Sequence, residues 1–215
     1  MNTNEPYGKL PRTFYVRSNV VEIAMDLVGK YLFTFNEGQL TGGRITETEA
    51  YSGDGDRACH AFRGKTSRNA VMFGEGGHAY VYLCYGMHHL FNVVTNREGC
   101  ADAVLVRGLE PVAGVQVMSE RRGRKPKSKL TAGPATLSQA LGIHTGLSGA
   151  SLESDFLWIA SGPEKPFELV TDRRVGVDYA GEDALRPWRF FMKGSPWVSR
   201  GIQKPLSLPP VPVRK

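Results

Sequence analysis

The alternation of apolar and polar residues predicts a chain built mainly from short β-strands. Strand-like patterns cover residues 31–35, 43–51, 79–85, 90–95 and 103–109, with glycine-rich or polar turns between them. Pro111 is expected to end the last of these strands. Further short strands and turns are expected over residues 156–198.

Two segments have helical spacing instead. Ser18 or Asn19 can cap a helix whose apolar stripe runs to about Leu27. A second helix is predicted over residues 131–141, with Pro134 near its first turn. Strands and helices in this order indicate a mixed α+β fold.

Length and composition favour one domain. The chain has 215 residues, of which 41% are hydrophobic, which suits a single folded domain over residues 1–215. We expect a curved antiparallel β-sheet with flanking helices and a hairpin that protrudes at residues 80–95. Residues 1–12 and 204–215 are polar or rich in proline, so we expect both segments to be flexible tails.

The charge balance suggests a partner but does not settle it. There are 27 Lys and Arg residues against 21 Asp and Glu, a net charge of +6. Such an excess favours a polyanion, nucleic acid first, although a protein that is merely cationic explains it equally well. Six basic residues crowd residues 119–131, where we expect a solvated and mobile loop.

Cysteine usage and hydropathy indicate the compartment. The three cysteines form no CxxC pair, which argues against a disulfide scaffold or a cysteine-built zinc site and suits a reducing cytosol. Cys59, His60 and the nearby aspartates match no metal-ligand spacing, so we expect no metal.

No apolar segment approaches the ~20 residues that span a bilayer, and the N-terminus lacks a signal-peptide core. We therefore expect a cytoplasmic protein without a membrane partner, associated with the nucleoid if it is bacterial.

The strand at residues 43–51 contains candidate chemistry. Strand alternation places Glu47, Glu49 and Tyr51 on one face, with the two carboxylates roughly 6.7 Å apart at ~3.3 Å per residue. The alternative is an ordinary solvated strand face. The aromatic ring on the same face and the irregular loop that follows favour a carboxylate that activates water.

The hairpin contains a second candidate. Tyr80 and Tyr82 share one strand face, while Tyr85 and Met87 flank Gly86 at the turn. Large side chains at a hairpin tip are well placed to act as a wedge, as in basic proteins that insert apolar side chains between base pairs. The alternative is that both side chains fold back onto the core.

Together these motifs resemble one enzyme family. In chain order they are GRITETEAY at residues 43–51, His60, Arg68-Asn69, Met72-Phe73, YVY at residues 80–82, YGM at residues 85–87, Asn92, LVRGLEP at residues 105–111, Gly133-Pro134 with the LSQAL helix behind it, RVGV at residues 174–177 and GSPWVS at residues 194–199. The set, which runs from about residue 12 to residue 200, resembles the alkyladenine (3-methyladenine) DNA glycosylases of the type without a helix-hairpin-helix.

The resemblance implies a base-excision repair enzyme. Such an enzyme flips alkylated or deaminated purines out of double-stranded DNA, hydrolyses the N-glycosidic bond and leaves an abasic site, without a Schiff-base step, metal or cofactor. On the matching positions, Glu49 would activate the water and Arg107 would help to hold it. Tyr85 would intercalate into the duplex, with Met87 beside it. We also expect the protein to be a monomer.

The resemblance also implies a base pocket, to which the charge pattern adds candidate phosphate contacts. The expected base-binding residues are Tyr51, His60, Tyr82, Asn92, Leu105 and Gly176. The expected contacts to the DNA backbone are Arg68, Arg121, Arg122, Arg124 and Lys125. Glu47 is expected to be structural, the alternative being an acid partner of Glu49. Two other functions stay open at this point: a damage-binding protein without catalysis, and an RNA-binding module that uses the aromatic hairpin.

Overall fold

The computed structural model describes residues 7–199, which form the mixed α+β fold that the sequence predicts. The helices are α1 (Arg12–Tyr15), α2 (Val20–Leu27), α3 (Val115–Arg121) and α4 (Pro134–Leu141), with short 3₁₀ segments at Ala70–Phe73, Lys127–Lys129, Thr145–Leu147 and Asp178–Leu185. The strands are β1 (Tyr31–Asn36), β2 (Gln39–Tyr51), β3 (Ala79–Cys84), β4 (His88–Thr95), β5 (Asp102–Ala113), β6 (Leu157–Ala160), β7 (Leu169–Asp172) and β8 (Arg189–Met192). The predicted tail at residues 204–215 lies outside the described residues, as do the first six residues of the predicted tail at residues 1–12.

One curled antiparallel sheet organises the fold. Its strand order is β3-β4-β5-β2-β1-β6, and β8 pairs with both β2 and β7. Strand β2 is the longest, and one of its edges changes partner along its length. That edge pairs with β1 over residues 39–44 and with β8 over residues 47–49. This change of partner bends the sheet, and it surrounds Glu47 and Glu49 with three strands.

Helix α2 begins where the sequence predicts, whereas α4 begins at Pro134 and not at residue 131, and α1 and α3 were not predicted. The Asn19 side chain accepts hydrogen bonds from the backbone N–H groups of Val21 (3.1 Å) and Glu22 (3.2 Å), which caps α2. Helix α2 packs on the sheet, where the Thr48 hydroxyl donates to the Ala24 carbonyl at 2.8 Å. Helix α4 ends at Gly142, whose φ of 69° lies in the left-handed region.

Strand β5 is longer than predicted, and the expectation that Pro111 ends it is wrong. Pro111 pairs with Gly43 and the strand continues to Ala113. The neighbouring strand β4 pairs with β5 only over residues 102–105. Beyond that point this edge of β5 is bonded only to residues 131–132, through Gly108 and Leu109, so the missing N–H group of Pro111 costs no ladder bond.

Two expected mobile segments are partly structured. Residues 7–12 do not belong to a tail: the Tyr7 ring packs 4.9 Å from Tyr31, and the Leu10 N–H donates to Ile159 at 2.8 Å. The basic segment at residues 119–131 starts inside α3 and includes a 3₁₀ turn, so it is not simply a loop. No helix within residues 7–199 has the length and apolar character needed to cross a bilayer.

Candidate active site

A cavity of about 200 Å³ opens between the β3–β4 hairpin, strand β5 and residues 175–179. All six residues expected to bind the base line it: Tyr51, His60, Tyr82, Asn92, Leu105 and Gly176. Arg107 and Tyr85 also line the cavity. The structure therefore brings together, around one concave surface, residues that are spread over more than 120 positions of the sequence.

Glu49 lies directly behind the cavity wall. Its side chain is 0% exposed, and its carboxylate accepts hydrogen bonds from three donors that belong to the wall. These are the Tyr51 hydroxyl (2.8 Å), the Val175 backbone N–H (2.7 Å) and Arg107 Nη1 (3.2 Å). Since a carboxylate offers about four acceptor positions, three donors fix its orientation and leave about one acceptor position unused among the described residues.

The surroundings of Glu49 keep two of its donors in their donating form. Burial, followed by the charge of Glu49, raises the pKa of Tyr51 well above its usual value, so the hydroxyl stays protonated. Burial alone would lower the pKa of Arg107, but the charges of Glu49 and Glu47 outweigh it and raise the pKa. Arg107 therefore remains a cation.

Glu47 has a different environment from Glu49. Its carboxylate accepts from Arg107 Nε (2.9 Å), from Arg189 Nε (2.7 Å), and from both the backbone N–H (2.6 Å) and the hydroxyl (2.8 Å) of Ser199. Glu47 is fully buried and does not line the cavity. The carboxylate thus positions Arg107, which fits the expected structural role. The alternative of a solvated strand face is wrong, because both carboxylates are buried.

Aromatic rings form one wall of the cavity. His60 Nδ1 lies 3.0 Å from the Tyr80 hydroxyl, and the His60 ring packs edge-on against Tyr82 with centroids 4.5 Å apart. Burial raises the pKa of Tyr80 to about 12. Desolvation of the His60 ring and the nearby charge of Arg68 lower the pKa of His60. The wall is therefore an electrically neutral cluster of polarisable rings near pH 7.

Asn92, Leu105 and Gly176 complete the lining of the cavity. Asn92 is buried and donates from its amide to the Tyr80 carbonyl at 3.1 Å. Leu105 pairs with Asn92 across β4 and with Glu49 across β2. Gly176 has a φ of 77°, and nothing lies within 4 Å of where its Cβ would be. A side chain there would be strained and would extend into open space next to the cavity.

The hairpin tip is exposed. Tyr85 is 89% exposed and Met87 is 69% exposed, so the alternative that they fold back onto the core is wrong. Tyr85 has a φ of 51°, a left-handed conformation that costs a residue other than glycine about 1–3 kcal/mol. An exposed ring in a strained backbone, at the rim of a cavity, points to a functional role.

The basic residues fall into three groups. Arg68 lies at the hairpin, where it donates to the Leu83 carbonyl (3.3 Å) and its guanidinium lies 5.4 Å from the Tyr82 ring. Arg121 and Arg122 contact helix α4: Arg121 donates to the Ala140 carbonyl at 3.3 Å and Arg122 to the Gln139 side chain. Arg124 and Lys125 are exposed. The expectation that Arg121 and Arg122 belong to a solvated loop is wrong, because they stabilise the C-terminal end of α4.

Sequence reasoning missed three contributors to the site. The Val175 N–H that binds Glu49 is a backbone group, which no residue pattern can show. Tyr80 and Tyr179 both line the cavity, and the Tyr179 hydroxyl donates to the Ala58 carbonyl at 3.2 Å. The motif at residues 174–177 was the available signal, but it indicated only Gly176.

The candidate metal ligands have other partners. His60 contacts Tyr80, while Asp56 forms a buried ion pair with Arg174. In the part of the chain that the structure describes, no three His, Cys, Asp or Glu side chains are grouped so that they could hold a metal ion.

Comparison with known proteins identifies close relatives. A family model described as methylpurine-DNA glycosylase matches residues 13–196. A protein of Methanocella arvoryzae named "Putative 3-methyladenine DNA glycosylase" is 49% identical over 197 residues, covering 89% of this chain and 96% of the relative. Proteins with the same name from Chlorobaculum tepidum (46% identical, 89% and 91% covered) and Carboxydothermus hydrogenoformans (48% identical, 89% and 98% covered) are similar over the same share of the chain. These matches confirm the resemblance inferred from the sequence motifs.

Proposed function

Because the chain belongs to the methylpurine-DNA glycosylase family, and is thus a monofunctional DNA glycosylase, we propose that it removes alkylated or deaminated purines from double-stranded DNA. In this proposal the damaged nucleotide is flipped into the cavity, and water activated by Glu49 hydrolyses its glycosidic bond. The product is an abasic site. We expect the enzyme to act as a monomer.

The observation that carries the proposal is the environment of Glu49. As the purine departs with the bonding electron pair, its sugar gains positive charge, which a nearby carboxylate stabilises. The same carboxylate can accept a proton from the water that attacks the sugar carbon. Three donors from the cavity wall orient Glu49 before substrate arrives, so the carboxylate does not have to reorganise during the reaction.

The cavity wall supports the choice of substrate. A methylated purine is electron-poor or cationic, and such a base stacks well on electron-rich rings. The ring of Tyr82 and the imidazole of His60 provide this surface, and both are neutral near pH 7. Flipping a base out of the stack costs on the order of a few kcal/mol, and the cost is lower for a damaged or mismatched base. Selection for damage therefore begins before the chemical step.

The hairpin supports base flipping. Tyr85 protrudes at the cavity rim, where its ring can enter the gap that an extruded base leaves in the duplex. An inserted side chain offsets part of the unstacking cost and kinks the duplex at that base step. Met87 lies two residues away and is also exposed, so it can contact the same base step.

Replacing Glu49 with glutamine tests the proposal. We expect Glu49→Gln to lower the single-turnover rate of base release by about 100-fold or more, because the amide cannot accept the proton. Binding to a duplex with an abasic-site analogue should stay within a few-fold of wild type. The substrates are duplexes containing hypoxanthine or etheno-adenine, and alkaline cleavage of the product reports base release.

Glu37→Gln is the matched control, since Glu37 is exposed in the turn between β1 and β2. It should release base at the wild-type rate. Full activity of Glu49→Gln would refute the role of Glu49. The damage-binding and RNA-binding alternatives both predict that the wild-type protein releases no base. The same assay therefore distinguishes the proposed function from both alternatives.

A further inference from the structure

We infer that Arg174 is a positioning residue of the reaction, which holds two of the three donors of Glu49 in place. The inference rests on the proposed role of Glu49 and extends it to a residue outside the cavity. Arg174 is fully buried, and its guanidinium does not line the cavity. It acts through Tyr51 and Val175.

Arg174 connects three segments of the chain. Its guanidinium donates to both carboxylate oxygens of Asp56, at 2.5 and 2.9 Å, in a bidentate ion pair. It also donates to the Ala50 carbonyl in β2 (3.0 Å) and to the Asp183 carbonyl in the last 3₁₀ segment (2.9 Å). One side chain thus fixes the end of β2, the loop after it and the segment that borders the cavity.

Arg174 also fixes the ring of Tyr51. The guanidinium carbon lies 4.8 Å from the centroid of Tyr51 and 5.2 Å from that of Trp188, within the range of cation–π attraction. The Tyr51 hydroxyl is the donor to Glu49 Oε2. The position of the ring therefore determines the direction of that hydrogen bond.

The second donor is adjacent to Arg174 in the chain. The Val175 N–H donates to Glu49 Oε1 at 2.7 Å, and the peptide that contains it follows Arg174 directly. A shift of the guanidinium therefore shifts this peptide. The third donor, Arg107, is held separately by Glu47 and Ser199. Loss of Arg174 should thus misalign Glu49 without removing its charge partner.

Arg174→Lys tests the inference. Lysine keeps the charge but cannot pair bidentately with Asp56 or present a flat face to Tyr51. Since misplacement of a catalytic group by about 1 Å can cost on the order of 100-fold, we expect base release in single turnover to fall by about 10- to 100-fold. Binding to a duplex with an abasic-site analogue should stay within about threefold, because no residue that contacts DNA in the proposal is changed.

Arg186→Lys is the matched control. Arg186 lies on the same Trp188 ring (4.6 Å) and donates to Gly55 in the same loop (2.6 Å), but neither Tyr51 nor Val175 depends on it. We expect its rate to stay within about threefold of wild type. All variants are assayed below their melting temperatures, with folding checked by circular dichroism.

The outcomes separate the two proposals. An inactive Glu49→Gln together with a fully active, folded Arg174→Lys would overturn the positioning role alone. An active Glu49→Gln would refute the proposed function itself. If Arg174→Lys does not fold, Asp56→Asn decides: it keeps the arginine but removes its charge partner, and a wild-type rate would overturn the inference.

Discussion

At the scale of single residues, Tyr85 combines two unfavourable properties. Its ring is in solvent, and its backbone adopts a left-handed conformation that glycine would adopt without strain. The positive φ of Tyr85 and of Gly86 suits a tight hairpin turn, but a glycine would provide it at position 85 without strain, and the exposed ring adds no packing. A tyrosine at this position is therefore best explained by what its ring does when DNA is bound.

Replacement of Tyr85 by glycine should separate stability from function. We expect Tyr85→Gly to leave the melting temperature unchanged or raise it, because the strain of about 1–3 kcal/mol is removed. Capture of a damaged duplex should weaken by about tenfold or more, because nothing fills the vacated stack. Thermal melting and equilibrium titration of a labelled duplex measure the two effects.

Tyr85→Phe is the appropriate control, since it retains the ring and loses only the hydroxyl. It should bind damaged duplex nearly as well as wild type. Equal binding by the glycine and phenylalanine variants would exclude Tyr85 as the wedge.

Some residue-level features follow from local pattern and others do not. The two-residue period of a strand is enough to place Glu47, Glu49 and Tyr51 on one face, and the hydrogen bond between Glu49 and Tyr51 agrees with it. The contact between Glu49 and Val175 joins residues 126 positions apart. Such a contact depends on how the last 3₁₀ segment packs against the sheet, which no local period determines.

At the scale of elements, the register between β2 and β5 shifts on both sides of Glu47. Gly108 pairs with Glu47 at this irregularity, next to Arg107. A Cβ on Gly108 would lie 2.8 Å from the Thr46 hydroxyl and closer still to the Trp197 carbonyl. The segment around Trp197 and the Thr46 side chain therefore pack so closely against β5 that the position requires a glycine, directly beside the arginine that contacts both carboxylates.

Gly108→Ala should damage both the strand pairing and the site. We expect a loss of stability of about 1–3 kcal/mol, because backbone atoms must move to accept the methyl group. Base release should fall as well, because Arg107 shifts with its neighbour. Denaturant unfolding and single-turnover assays measure the two losses.

Gly74→Ala serves as the comparison. Gly74 has a φ of −79°, and its nearest neighbour to an added Cβ is 3.4 Å away. Stability and activity should both stay near wild type. If Gly108→Ala behaved like Gly74→Ala, the segment around Trp197 could move away at no cost, and its tight packing on Gly108 would have no role in placing Arg107.

The sequence predicted correctly those structural features that neighbouring residues determine. The cap at Asn19 and the hairpin turn at Gly86 both have short-range causes, and both were predicted. The extent of β5 was not, because tolerance of Pro111 depends on where β4 stops pairing. The helical part of the basic segment was missed because its stabilising contacts, such as that of Arg121 with Ala140, come from α4.

At the scale of the whole molecule, the charged residues behind the net charge of +6 are divided between buried ion pairs and the exposed surface. Arg107, Arg174 and Arg189 are buried in ion pairs with Glu47, Glu49, Asp56 and Asp172, so they add nothing to the surface field. Exposed charges such as Arg124 and Lys125 remain free to attract a phosphate backbone.

Neutralising Arg124 and Lys125 together should reduce the salt dependence of DNA binding. Each phosphate contact that is lost should lower the slope of log Kobs against log salt concentration by about 0.9. Fluorescence titrations of undamaged duplex at several salt concentrations measure this slope.

The double variant Lys9→Gln with Lys193→Gln controls for net charge. Both lysines are already paired, Lys9 with Asp155 and Lys193 with Glu168. Their replacement therefore removes the same formal charge without removing a contact to a DNA phosphate. Its slope should match the wild type. Equal slopes in both double variants would show that the basic segment lies away from the DNA.

The buried network around Glu47 also constrains how this protein can evolve. Two guanidinium groups share one carboxylate that does not line the cavity, and the Ser199 hydroxyl links one of them, Arg107, to that carboxylate. Loss of a charged member leaves an unpaired charge in the interior, a change that typically costs about 3–5 kcal/mol. A substitution in this network is therefore tolerated only when several members change together, whereas a single change in the uncharged residues of the cavity wall leaves no buried charge without a partner.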